Sequence, residues 1–132
     1  MLCETEAFTM AVEIYKKAFQ LKDNNLSEES IEEFKRILES DGDPFNICHR
    51  MIAAIYYYRL SDHESALPYA LLSVFNSPLD EMASLCLVHC LFDAGQPDEM
   101  EKEIRRFISA GGKIDLFQYF IEENGAKISD FT

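Results

Sequence analysis

The sequence predicts an all-α fold of stacked antiparallel helical hairpins, and three observations predict it. First, a residue pair repeats. Ala18 and Leu21 recur as Ala54 and Tyr57, then as Val88 and Leu91, at steps of 36 and 34 residues. Second, the same steps relate a turn position (Asn25, Ser61, Gly95) and a later helical set. That set reads Ser30, Phe34, Ile37, then Ala66, Ala70, Ser73, then Met100, Ile104, Phe107. Third, each unit ends in a helix breaker: Gly42, Pro78 and Gly112. A period near 34 with two helical segments per unit describes hairpins that cannot bury their apolar faces alone and must stack. The expected organisation is one domain over 1–132. Its units run about 11–44, 47–80 and 81–114, with a capping helix at about 115–124 and about seven helices in all.

The elements follow in order. Residues 5–22 read as a helix, because Phe8, Val12, Tyr15 and Phe19 fall at spacings of three and four. Ser27 reads as an N-cap, with Glu28 and Glu29 at the positive end of the helix dipole. That helix runs to about Ser40, and Asp41-Gly42-Asp43 ends it. Asp43-Pro44 is expected to open a third helix, as a cap followed by a proline at the first helical position. It reaches about Leu60 and is apolar nearly all round, so it belongs in the middle of the stack. Ser61 to Glu64 reads as a capping box for the fourth helix. Pro68 inside that helix predicts either a kink or a later start. Ser77-Pro78 is expected to open the fifth helix, which ends at Gly95, and Gln96-Pro97 the sixth, which reaches Ser109. Asp115 to Glu123 reads as a short last helix covering the open end of the stack, followed by a tail at 125–132.

Composition bounds the function. The chain has 132 residues, 48% of them apolar, enough for one real core. Acidic residues outnumber basic ones 24 to 12, a net charge of −12. Such a surface repels nucleic-acid phosphates and anionic membranes and attracts a basic protein. No apolar run approaches the ~20 residues that span a bilayer. The N-terminal residues show no basic segment followed by an apolar one, so a secretory signal is not expected and a cytoplasmic location is. Cys3, Cys48, Cys86 and Cys90 are expected to be reduced there.

With those residues in hand, the chain resembles tetratricopeptide-repeat proteins over roughly 11–114. The middle unit carries the resemblance best: Ala54, Tyr57, Ala66 and Pro78 match the family's small, aromatic, small and proline positions. Ala70, where a bulky aromatic is usual, and Met100, where a small residue is usual, depart from it. The resemblance implies a right-handed superhelix whose concave face is lined by the first helix of each hairpin. By position, that face would present Val12, Tyr15, Phe19, Lys22 and Asp23 from the first unit. The second would give Cys48, Met51, Ile55, Tyr58 and Arg59, and the third Met82, Leu85, His89, Phe92 and Asp93. Aromatic and methionine side chains give large, adaptable contact area. The family's repeated Lys, Asn and Arg clamp for acidic tails is absent as a set.

Charge is also patterned. No Lys or Arg lies between Arg59 and Lys102. The gap and its edge hold Asp62, Glu64, Asp80, Glu81, Asp93, Asp98, Glu99 and Glu101, a field that could steer a basic partner or simply keep the surface solvated.

Catalytic chemistry is not expected. There is no Gly-rich phosphate loop, nucleophile elbow or H-E-x-x-H. Cys86, His89, Cys90, Cys48 and His49 could gather a metal only in principle. There is no C-x-x-C pair, and adjacent Cys48 and His49 point about 100° apart on a helix. No metal or cofactor is expected, and these thiols read as buried small hydrophobes. The sequence therefore points to a non-catalytic protein-binding module. Its most specific form is an acidic immunity- or antitoxin-type inhibitor that sequesters a basic toxin domain. The alternatives are a secretion or assembly chaperone holding a partner peptide in its concave groove and, more remotely, a metal or redox protein.

Overall fold

Helices form where the apolar spacing places them, and most of them stop beside a residue with a left-handed backbone. The computed structural model describes residues 3–123. The expected end of the last helix at 124 and the tail at 125–132 lie outside them. The helices are α1 (Glu4–Asp23), α2 (Ser27–Ser40), α3 (Cys48–Ala54), α4 (His63–Asn76), α5 (Glu81–Asp93), α6 (Pro97–Ser109) and α7 (Gln118–Glu123). A π-helical turn (Ile55–Arg59) continues α3, and a 3₁₀ turn (Ile114–Phe117) leads into α7. The described residues contain no strand.

The three turn positions related by the repeat share one backbone state. Asn25, Ser61 and Gly95 have φ of 61°, 52° and 68°. After α1, Leu26 N–H bonds to the Leu21 carbonyl and Asn25 N–H to Lys22; after α5, Gln96 N–H bonds to Leu91 and Gly95 N–H to Phe92. Both ends are Schellman closures, which require a left-handed residue. At Ser61 the closure is one residue wider, because the preceding turn is π-helical: Asp62 N–H reaches the Tyr56 carbonyl at 2.9 Å. The nine inward positions of the repeat, Ser30 through Phe107, are all buried.

Four helix starts differ from the expectation. The second helix already includes Ser27, which makes no capping bond, and Leu26 takes the cap position before it. The third helix begins at Cys48 rather than at Pro44. Gly42, Asp43 and Asn46 all have positive φ, a path no right-handed helix can take. The Asp43 carboxylate instead reaches forward to accept from Ile47 N–H and Cys48 N–H, each at 3.0 Å. The cap of α4 is Asp62 rather than Ser61, because Ser61 is used to end the helix before it; Asp62 accepts from Ser65 N–H. The fifth helix begins at Glu81, with Asp80 accepting from Met82 and Ala83 N–H, and not at Ser77-Pro78. Helix α4 runs from His63 straight through Pro68, so the later start does not occur.

Each helix packs on its neighbours in sequence, and α3 also touches α5. Two apolar clusters result. One joins α1, α2 and α3 through Tyr15, Ala18, Ile31, Phe34, Ile37 and Cys48. The other runs from Ala53 through α4, α5 and α6 to Phe117, Phe120 and Ile121. Burying one side chain such as Phe34 stabilises the fold by roughly 2–3 kcal/mol. Phe8 and Val12, expected on the inward stripe of α1, are exposed; Phe8 meets the Phe45 ring 5.5 Å away. Phe107 and Phe117 meet edge to face at 5.5 Å. A Cβ at Gly112 would collide with the Phe107 ring, so the chain needs glycine there.

A polar pair repeats as well. Buried Glu103 accepts a two-pronged bond from Arg106 at 2.6 and 2.7 Å and a third from the Ser84 hydroxyl at 2.6 Å. Seventy residues earlier, Glu33 and Arg36 form the same contact at 2.8 Å. These three bonds, from Arg106 and Ser84, satisfy the Glu103 carboxylate inside the fold.

Candidate functional site

The three consecutive tyrosines, Tyr56 to Tyr58, fall in the π-helical turn. The turn is wider than an α-helical one, with Leu60 N–H bonding to the Ile55 carbonyl at 3.1 Å. Both Tyr57 and Tyr58 consequently reach His89 on α5. Their ring centroids lie 5.2 and 5.5 Å from the imidazole, and the two tyrosines meet edge to face at 4.8 Å. From His89 the contacts continue to Phe120 (4.7 Å), Phe92 and Tyr119, which α7 contributes with Phe120. The result is one aromatic face built from the π turn, α5 and α7. Tyr58 and Tyr119 are exposed on it, and His89 and Phe92 are half-buried.

Polar groups fix the face at one edge. The Tyr57 hydroxyl donates to Asp93 Oδ2 at 2.7 Å, and His89 Nδ1 lies 3.4 Å from the same hydroxyl. Burial, and then the bond to Asp93, push the Tyr57 phenol up. Burial also raises Tyr58, helped by the nearby thiols of Cys86 and Cys90. Burial holds the His89 imidazole below its ordinary value, against the pull of Asp93. At neutral pH the face therefore carries neutral phenols and a neutral imidazole beside one carboxylate.

The fifteen residues expected on a concave surface are spread over several environments, with Val12 and Asp23 exposed and Cys48 fully buried. Tyr58, His89, Phe92 and Asp93 come together on the aromatic face. Tyr15 and Ile55 are buried, closed to any partner. Phe19, Met51 and Leu85 are half-buried against the core, Phe19 edge to face on Phe34 at 5.4 Å. Lys22 pairs with Asp23 at 3.5 Å, and Arg59 donates to Asn25 at 3.1 Å. Met82 is exposed at the far end of α5, about 16 Å along the axis from Asp93. Tyr57, Tyr119 and Phe120 join the face without having been singled out. The tyrosine run carried no signal that the helix would widen, and α7 read only as a cap.

The acidic residues divide by role. Asp62 and Asp80 cap helices, and Asp80 also meets Arg50 at 3.0 Å. Glu99 and Glu101 pair with Lys102 and Arg105 on their own helix. Glu64, Glu81 and Asp98 stand exposed in first turns.

Cys48, Cys86 and Cys90 are buried, and Cys3 is exposed. Burial raises Cys48; the Cys90 thiol donates to Cys86, which holds Cys86 down and pushes Cys90 up. Among the described residues no three His, Cys, Asp or Glu side chains converge as a metal set, and no helix is long and apolar enough to cross a membrane. No family model, curated protein or solved structure matches the chain.

Proposed function

We propose that this chain is a non-catalytic protein-binding module with tetratricopeptide-like stacking of its hairpins, and that it grips a basic protein on the aromatic face of the π turn, α5 and α7. The observation that carries the reading is the exposure of Tyr58 and Tyr119 on a face braced by His89, Phe92 and Phe120. Rigid aromatic side chains of this kind supply most of the binding energy in protein interfaces. Asp93 at its edge and a net charge of −12 favour a cationic partner. The repeat of left-handed closures and buried positions supports hairpin stacking. The most specific form of the reading is an inhibitor that sequesters a basic domain.

The test is affinity capture with two baits, the wild-type chain and a Tyr58→Ala/Tyr119→Ala variant. The reading expects a basic protein retained by the first and lost from the second, with an association rate that falls steeply with salt. Equal retention on both baits removes the aromatic face from the account. A salt-independent rate removes the electrostatic part.

A further inference from the structure

Helix α4 is built with its small residues inward. Ala66, Ala70, Ser73 and Val74 are buried, while Pro68, Leu71, Leu72 and Phe75 face out at spacings of three, one and three. Phe75 is 82% exposed, and Leu79 and Met82, shortly past the end of the helix in sequence, are exposed as well. Small inward residues let the α4 backbone lie close to α3 and α5; Leu67 and Tyr69 still pack against the core, while Leu71, Leu72 and Phe75 stay outside it. An exposed apolar stripe on a helix marks an interaction surface.

We propose that this stripe docks a basic amphipathic helix of a partner protein. Beside it, a groove of about 440 Å³ opens between α4 and α6, lined by Leu67, Leu71, Leu87 and Leu91. Leu71 belongs to both features, so a helix lying along α4 can set one edge into the groove, in the manner of helix-in-groove recognition. The surrounding charge selects the occupant. The sequence has no Lys or Arg between Arg59 and Lys102, exposed Glu64 and Glu81 lie in the first turns of α4 and α5, and Arg50, the cation that folds back to Asp80 just past α4, is paired with it at 3.0 Å. The cations at the groove's α6 edge are already engaged: Lys102 by Glu99 at 3.0 Å and Arg106 by Glu103 at 2.6 Å. A second copy would bring another −12 of charge and the same two glutamates against this field. A helix with leucine-type anchors flanked by Lys or Arg fills the stripe and neutralises this field. The stripe and groove share no residue with the aromatic face of Tyr57, Tyr58, His89, Phe92, Tyr119 and Phe120, so this proposal does not depend on that face.

The probe is a labelled 18-residue Leu/Lys amphipathic helical peptide, read by fluorescence anisotropy at physiological salt. A Leu/Glu peptide of the same pattern and a scrambled Leu/Lys peptide serve as controls. The variants are Leu72→Ser/Phe75→Ser and, for the other face, Tyr58→Ala/Tyr119→Ala. We expect the α4 variant to weaken the Leu/Lys peptide at least tenfold and the aromatic-face variant to change it less than twofold. The Leu/Glu peptide should not bind. Unchanged affinity in the α4 variant, or equal binding of the scrambled peptide, overturns the proposal. So does a dimer seen by sedimentation that the α4 substitutions dissociate, which would give the stripe to a second copy. Binding to phosphatidylcholine vesicles that the same substitutions abolish would give it to a membrane and overturn the proposal equally. All four substituted side chains are exposed, so circular dichroism should report unchanged folding.

Discussion

The Tyr15 hydroxyl donates a 2.6 Å hydrogen bond to Oδ1 of Asp43, 28 residues along the chain. The same hydroxyl accepts from Phe45 N–H at 2.8 Å, and the Asp43 carboxylate holds the first turn of α3. One buried phenol thus ties the middle of α1 to a loop with three left-handed residues. Tyr15→Phe removes both bonds and leaves polar atoms unpaired, at a cost of about 1–3 kcal/mol. Asp43→Ala loses three bonds and should cost more. Urea denaturation checks this as a lower midpoint with an unchanged slope.

The same carboxylate gives stability a pH dependence. Burial pushes the Asp43 carboxyl up, but the bonds from Tyr15, Cys48 N–H and Ile47 N–H outweigh it and hold the group below its ordinary value. A depressed acid stabilises the fold above the unfolded-state value of about 3.9 and loses that contribution as pH falls through the folded one. Acid unfolding of Asp43→Asn should therefore be shallower below about pH 4 than that of the wild type. Parallel curves would show that Asp43 contributes nothing there.

His89 acts in a higher range. Its imidazole is depressed by burial, so its contribution is full above about pH 6.5 and declines as pH falls. Urea midpoints of His89→Gln should vary less between pH 7 and pH 5.5 than those of the wild type. The groups that face it are Tyr57, Tyr58, Phe120 and the Asp93 carboxylate.

The left-handed closures can be tested one by one. Ser61→Gly relieves a non-glycine residue at φ 52° and should raise stability by about 0.5–1 kcal/mol. Asn25→Gly should change stability by less than about 1 kcal/mol, because asparagine tolerates this conformation and its bond from Arg59 is exposed. Gly112→Ala should cost at least about 2 kcal/mol, because the added Cβ meets the buried Phe107 ring. Thermal midpoints in that order would support this reading of the turns, and any other order would count against it.

Much of the helix pattern was legible because local chemistry decides it. Ser27 to Ser40 and Pro97 to Ser109 sit where spacing and punctuation put them. The repeat was legible for the same reason, since equivalent turns need residues able to turn left. What could not be read came from contacts made across the fold. Tyr15 belonged both to the apolar stripe of α1 and to the implied concave face, and only Asp43, closing on its hydroxyl, decides between them. Tyr57 looked like core until the helix widened and turned it toward His89 and Asp93. The inside-out build of α4 was visible in Ala66, Ala70 and Ser73, but which face lay inward depended on α3 and α5. The Glu33–Arg36 and Glu103–Arg106 pairs were present in the sequence at matching steps, yet only burial separates them from ordinary surface pairs.

The buried pair supports a direct comparison. Arg106→Met leaves Glu103 with Ser84 alone and should cost about 2 kcal/mol. Arg36→Met, at the more exposed copy, should cost less than about 1 kcal/mol. Equal costs would mean that Glu103 gains nothing from being enclosed.

The two apolar clusters meet through Tyr56 and Tyr69, the side chains packed against both. So narrow a seam allows α1 and α2 to open as one cooperative unit while α4 to α6 stay closed. Amide protons of the first two helices should then exchange with deuterium at a common rate, faster than those of the last helices. A partner that clasped both sides of the seam would bring the two rates together.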